Sequence, residues 1–482
     1  MTSTNGLRTA LLAAVLVAGL AACAGPADDA GAPGQVAGEG PARPAAGGEE
    51  LVVDEQPLEA PVVLDPVPDG LLLTGLSYDP APQLVANESS GRYEPSRATL
   101  YGDPALADSL DGPVLLVGTS SGSATIAGPG YDAPGEQVDL GGGRTGRVVR
   151  DTDRTWVLVD GNDHREFVVG RGIDEEDLVA AARTADFASA TAALAPDVVP
   201  DGLAPLVAGS PQDRPGSGAW EAMTLQGEAS YVFVSVVRAD PRLAALWGFW
   251  LEDATGTLVR GRPGSAGDLQ GANVGDPDAR GRVWAEDGLV LSVVVTQGPD
   301  RGSAAPDRDD LLDRVVEALH VGTWAEFEAL DGEIRSRPPT AVESPCPSTT
   351  GFVSGVQGES RWIFQLQPNP YSSSGEWSAC SFDLSSGGGS GGSVSPPPLG
   401  ELAVSGSGSG IVGGVAPPGT ARVTVRAADG STLEAVLAAD GPRPGERVWG
   451  AYVPLLPPPG GPAPFTVTAY DAAGAVLASR SQ

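Results

Sequence analysis

The sequence predicts an α+β and β protein: two tandem α+β repeats, each an antiparallel sheet with one C-terminal helix, followed by a β-sandwich-like module. Three observations carry that prediction. A pentapeptide, Val67-Pro68-Asp69-Gly70-Leu71, recurs identically as Val199-Pro200-Asp201-Gly202-Leu203, with further landmarks following in the same order in both copies. Each copy closes with an acidic helix start. Beyond residue 398, short strand-like runs alternate with turn clusters such as Ala428-Asp429-Gly430.

The repeats cover 62–195 and 196–335. Thr99-Leu100 with Gly102-Asp103 answers to Thr224-Leu225 with Gly227-Glu228, and Gly146-Arg147-Val148 answers to Gly281-Arg282-Val283. A strand-like run follows in each copy, Thr155 to Val159 and Leu289 to Val295. Matched landmarks lie about 130 residues apart, an ordinary domain length. In the first copy Asp174 is placed to cap a helix, with Asp177 at the third helical position and Ile173 and Leu178 set as a hydrophobic staple. In the second, Asp307 and Asp310 take the same places, and Leu312, Val315, Val316 and Leu319 recur at helical spacing, which predicts one buried stripe. Between these landmarks Trp247 and Phe249 read as one face of a strand and Trp250 as the other, at least one face being core.

A short helix is expected from Trp324 to Leu330. Segment 336–398 reads as a linker (Ser336 to Pro345), a β-rich stretch (Phe352 to Leu384), and a Gly, Ser and Pro run (Ser385 to Pro398) with the composition of a flexible connection. The last module, 399–482, places strands at Ala421 to Arg426, Thr432 to Ala438, Val448 to Pro454 and Pro464 to Tyr470. Its rhythm is loosely similar to immunoglobulin-like domains, in pattern alone. Trp362, Trp377, Trp449 and Tyr452 are expected to fill that core, with stacking on a sugar or a partner as the alternative.

At the N-terminus one basic residue, Arg8, precedes an apolar stretch from Thr9 to Leu20 that is too short to span a bilayer, which takes about 20 apolar residues. It ends in Leu20-Ala21-Ala22-Cys23. Those four residues resemble the lipobox of bacterial lipoprotein precursors: an aliphatic residue, two small residues and cysteine. The resemblance implies that residues 1–22 are a signal peptide and that Cys23 takes a diacylglycerol through its sulfur, palmitate-type acylation included. It also implies anchoring at the extracytoplasmic face of the cell membrane, for which two acyl chains suffice. Residues 23–61 have the composition of a disordered tether that would hold the folded body away from the membrane.

Of three cysteines, the resemblance commits Cys23 to the anchor and leaves Cys346 and Cys380. In an oxidising compartment those two are expected to pair, closing a loop of about 35 residues and stabilising the region by about 3 to 4 kcal/mol. A metal would want more ligands than two cysteines, and no histidine lies between them. No cofactor is expected.

Composition excludes more than it assigns. The chain contains no lysine, so all 29 basic residues are arginine, which removes P-loop lysines, Schiff bases and Ser-Lys hydrolysis. A net charge of −33 argues against nucleic acid and anionic lipid surfaces as direct partners.

The sharpest enzymatic pattern is Gly118-Thr119-Ser120-Ser121-Gly122, which fits a nucleophile elbow and follows the apolar run Val114 to Val117. A true elbow turns into a helix, whereas Ser123 to Gly130 reads as loop or strand, so a hairpin turn is the competing reading for Ser120. The plain linker Gly388-Gly389-Ser390-Gly391-Gly392 fits the same pattern. Only His164, in a turn, and His320, at a helix C-terminus, could serve as base. Gly141, Gly143 and Gly146 have dinucleotide-loop spacing but lead into a strand. Asp151 with Asp153, and Asp276 with Asp278, could offer oxygens to calcium, but solvated turns are the favoured reading.

The expected function is a membrane-anchored extracytoplasmic lipoprotein that acts as a non-enzymatic binding or interaction protein of the cell envelope. Its partners would be the membrane, through the lipid, and an unknown envelope protein or glycan. The alternatives are a serine hydrolase using Ser120 and a solute- or ion-binding lipoprotein.

Overall fold

The computed structural model describes residues 58–78, 97–106, 112–121, 133–160, 164–188, 192–209, 221–227, 229–269, 279–297, 307–344, 351–369, 376–385, 388–406, 410–438, 440–453 and 464–481. Residues 20–23, the tether up to residue 57, Asp276, Asp278 and Cys346 lie outside them. The described chain is mostly antiparallel sheet with a few helices, and it divides into two compact units on either side of residues 329 and 330.

In the first unit a short strand β1 (Val62–Leu64) is followed by β2 (Leu72–Tyr78), β3 (Arg97–Gly102), β4 (Val114–Ser121), β5 (Glu136–Gly141), β6 (Arg144–Arg150), β7 (Thr155–Val159), β8 (His164–Arg171) and helix α1 (Glu175–Thr184). Then come β9 (Ala204–Gly209), β10 (Glu221–Gln226), β11 (Ser230–Arg238), α2 (Leu243–Phe249), β12 (Glu252–Val259), β13 (Arg262–Leu269), β14 (Ala279–Glu286), β15 (Leu289–Gln297), α3 (Arg308–Ala318) and β16 (Leu319–Val321). Helix α4 (Trp324–Ser336) begins where the short Trp324 to Leu330 helix is expected and runs six residues further.

Two seven-stranded sheets result, ordered β5-β6-β7-β8-β4-β3-β9 and β12-β13-β14-β15-β11-β10-β2. The successions match position by position, but neither sheet is built from one stretch of chain. Strand β2 pairs with β10, and β9 pairs with β3, so the strand that follows each pentapeptide is the edge of the sheet formed mainly by the other stretch. The identical pentapeptides make the turns that launch these exchanged strands. In each, the leucine N–H donates to the proline carbonyl at 3.1 Å, and glycine takes the left-handed third position, with φ of 82° at Gly70 and 83° at Gly202. The strand order also separates one pair of landmarks: Gly146-Arg147-Val148 lies on β6, second in its sheet, whereas Gly281-Arg282-Val283 lies on β14, third in its own. Gly-Arg-Val fits any strand here, so the triplet marks strand character rather than position.

Helix α1 starts at Asp174, as its acidic first turn predicts, and buries Leu178, Val179, Ala181 and Ala182 on Leu115, Val117, Val157 and Val168 of its sheet. Each such buried Leu or Val is worth about 1.5–3 kcal/mol. In α3 the Asp307 carboxylate accepts from the N–H groups of Asp309 and Asp310, and Leu311, Leu312, Val315 and Val316 form the buried stripe. Trp247 and Phe249 are not strand residues: they belong to α2, with Trp250 as its C-cap, and all three are at most 1% exposed. The run Leu243–Leu251 is apolar all round, a pattern with no period to separate helix from strand, and burial on every side suits the helix.

The second unit contains β17 (Phe352–Gln357), β18 (Ser360–Pro368), β19 (Trp377–Asp383), β20 (Gly388–Val394), β21 (Ser405–Gly406), β22 (Ile411–Ala416), β23 (Arg422–Arg426), β24 (Thr432–Glu434), β25 (Val436–Leu437), β26 (Arg447–Tyr452), β27 (Thr466–Tyr470) and β28 (Val476–Ser481). They form three four-stranded sheets, β17-β18-β19-β20, β21-β22-β26-β25 and β24-β23-β27-β28. The middle sheet packs on both sides: Ile411, Val415 and Val448 join Trp362, Phe364, Leu366 and Trp377, while Val412, Ala416 and Trp449 join Val423, Val425 and Val467. Segment 351–398 and the module after it therefore share a core. Gly413 makes the close approach possible, since a Cβ there would sit 2.4 Å from the Phe364 ring.

The Gly-Ser run is not a loose connection along its whole length. Gly388 to Val394 pairs with β19 in full register, because ladder hydrogen bonds use only the backbone and β19 offers an open edge. The linker reading of Ser336 to Pro345 is corrected as well. Thr340 and Glu343 form a capping box, and Glu343 is 3% exposed.

Candidate functional site

Charged side chains converge in the first unit where the turn after β6 meets the link between α2 and β12. The turn is closed by the Asp151 N–H donating to the Arg154 carbonyl at 2.8 Å, and Asp151 Oδ1 accepts from the Thr152 N–H at 2.8 Å. Arg154 is 4% exposed. Its Nη2 donates to the Leu251 carbonyl at 2.7 Å, and its guanidinium lies 5.2 Å from the centre of the Phe249 ring. Beside it Trp156 of β7 stacks on Trp250 with centroids 6.3 Å apart. The Asp153 carboxylate sits 3.3 Å from Arg154 Nε and 3.8 Å from Arg171 Nη1, and it accepts the Asp253 N–H at 3.1 Å. Asp253 holds a left-handed φ of 46°, and the β12–β13 register shifts between Glu252 and Thr255.

Glu252 occupies the middle of this junction and is 7% exposed. Burial pushes its carboxyl up to about 7, with Asp151, Asp153 and Asp253 pushing the same way and Arg154 opposing them. Burial lowers the Arg154 guanidinium from its ordinary value, opposed by Asp153, Glu252, Asp151 and Asp253. The arrangement can hold one proton near neutral pH. Among the described residues no group of three or more His, Cys, Asp or Glu is arranged to hold a metal ion.

A second buried carboxylate lies in the other unit. Glu343 Oε2 is 2.7 Å from Arg337 Nη1 and accepts the Thr340 N–H at 2.8 Å, while Glu343 Oε1 pairs with Arg361 Nη2. Arg361 Nε donates to the Arg337 carbonyl at 3.2 Å. This triad fastens the chain before β17 onto β18.

The residues singled out in the sequence do not form one site. Ser120 lies neither at an elbow nor in a hairpin turn: it is within β4, paired with Arg165 of β8, and the apolar run before it continues as strand through Ser121. His164 opens β8 opposite Ser121, and the expected turn Gly161 to Asp163 lies outside the described residues. His320 is exposed on β16, two residues past α3, where its Nδ1 lies 3.4 Å from the Ala318 carbonyl oxygen. Gly141 ends β5 and Gly142 and Gly143 make the turn into β6, with φ of 78°, 63° and 81°. Asp153 is no solvated turn residue, its side chain being 11% exposed. Cys380 is disulfide-bonded at the centre of β19. Trp362, Trp377 and Trp449 are core residues at 3%, 5% and 0% exposure, and half-buried Tyr452 packs beside them.

Glu252, Arg154, Glu343 and Arg361 are buried charges, as are Asp383 and Glu446, and no motif in the sequence singles them out. One signal is present: Glu252 directly follows the long apolar run Leu243–Leu251, where a carboxylate is out of place unless it has partners. Compared with known protein families, with curated proteins and with solved structures, the chain matches none.

Proposed function

We propose that the protein is a lipoprotein held by Cys23 at the extracytoplasmic face of a bacterial membrane, displaying a non-enzymatic binding body. The observation that carries the reading is Leu20-Ala21-Ala22-Cys23 at the end of a short apolar run. In this reading 62–195 and 196–335 are tandem α+β repeats. Identical launching turns and matching strand orders support the duplication. The exchange of β2 and β9 interlocks the two copies, so that they stand on the tether as one body. The partner is an envelope protein or glycan. A binding rather than hydrolytic role is supported by the straight run of β4 through Ser120, which lacks the strained turn that exposes a nucleophile.

In the same reading Cys380 pairs with Cys346, which suits an oxidising compartment. Intact-mass measurement of the membrane-extracted protein is the test. Loss of residues 1–22 with a gain of acyl mass on Cys23 is expected, as is release of Cys23→Ala into the aqueous phase on detergent partition. An unmodified Cys23 overturns the proposal.

A further inference from the structure

We propose that the junction between the two seven-stranded sheets is a proton-operated latch, closed while Glu252 is protonated and loosened when it ionises. The junction is where the turn after β6 meets the α2–β12 link, and two hydrogen bonds close it. Arg154 holds the Leu251 carbonyl and Asp153 holds the Asp253 N–H, so the residues on both sides of Glu252 are clamped to the neighbouring sheet. The groups facing Glu252 are Asp151, Asp153 and Arg154 from the turn, and Asp253 beside it on β12. Across the β12–β13 ladder its partner is Asp268, which is engaged by Arg280 at 2.9 Å. Arg171 reaches the cluster through Asp153. Helix α2 contributes no titratable group.

With Glu252 neutral, the carboxylates of Asp151, Asp153 and Asp253 are set against Arg154 and Arg171. Ionisation adds a fourth carboxylate to a buried space where a charge is costly to desolvate. The backbone of Leu251–Asp253 then gains by moving toward water, and the hydrogen bond from the Asp253 N–H to Asp153 breaks first. The direction follows from linkage: between pH 4.5 and about 7 the folded chain holds a proton that the unfolded chain does not, so stability falls as pH rises through that window. The latch is independent of lipidation, and its failure would leave the anchoring proposal standing.

The test is amide exchange of Asp253 in the full chain between pH 5 and 8.5, with thermal melting alongside. Beyond the intrinsic base-catalysed rise, protection in the wild type is expected to fall at least about tenfold across neutral pH. Glu252→Gln keeps the shape without the titration. It is expected to hold its protection and to melt above the wild type at pH 8 but level with it at pH 4.5. Asp151→Asn keeps an acceptor for the Thr152 N–H while removing one facing charge, and should move the wild-type transition to lower pH. Parallel pH profiles for the wild type and Glu252→Gln would overturn the proposal. If that variant does not fold, an unmoved transition in Asp151→Asn would do the same.

Discussion

Glu252 and Glu343 are two buried carboxylates in two units of one chain, 7% and 3% exposed, and they meet opposite surroundings. Glu343 lies between two guanidinium groups and caps a turn, so its acceptor capacity is filled by charge-assisted donors. Glu252 faces three aspartates and one nearby arginine, and its carboxyl is raised to about 7. Burial is nearly the same in both, so the neighbours decide whether a buried acid fastens the fold or stores a proton. In a chain with 62 acidic and 29 basic residues, arginines are the limiting partners. The β stack places two of them on one glutamate, whereas the sheet junction shares two among several carboxylates.

The largest effect that would test this comparison is at the triad. Arg361→Ala leaves Glu343 buried beside a single arginine, and it is expected to cost about 3–5 kcal/mol in denaturant unfolding, most of it absent if the triad is merely decorative. Next is the opposite sign at the junction. Glu252→Gln is expected to raise stability at pH 8 by up to about 3 kcal/mol and to leave it unchanged near pH 4.5. A destabilised variant at pH 8 would mean that the two carboxylates behave alike. The smallest effect separates the two helix starts. Asp307 accepts two backbone N–H groups whereas Asp174 makes no side-chain cap bond. Asp307→Ala should therefore lower stability by about 1 kcal/mol, and Asp174→Ala by only a few tenths, in the same unfolding measurement.

Local chemistry is legible in the sequence. Asp174 and Asp307 mark the two helix starts, and the pentapeptide glycines mark the turns, because caps and left-handed positions are decided within a few residues. Strands at 422–426, 447–452 and 466–470 lie close to where alternation puts them. Ile411–Ala416 is not legible in this way: it is buried on both faces and has no alternation to show. Gly388–Val394 reads as a linker because its pairing depends on the edge of β19 rather than on its own side chains.

The sequence by itself determined the two capped helix starts and the turns of the pentapeptides, the apolar faces of the alternating strands, and that the basic residues are all arginine. Only the tertiary structure decided which sheet each strand joins. Alternation specifies the face that a strand buries, but every strand edge presents the same N–H and C=O groups, so nothing in Leu72–Tyr78 announces that its partner is Glu221–Gln226 rather than Arg97–Gly102. The charged junction was hidden for the same reason. Asp153 and Arg154 lie about a hundred residues before Glu252, and only the fold that brings them together turns an ordinary glutamate into a group that titrates near neutral pH.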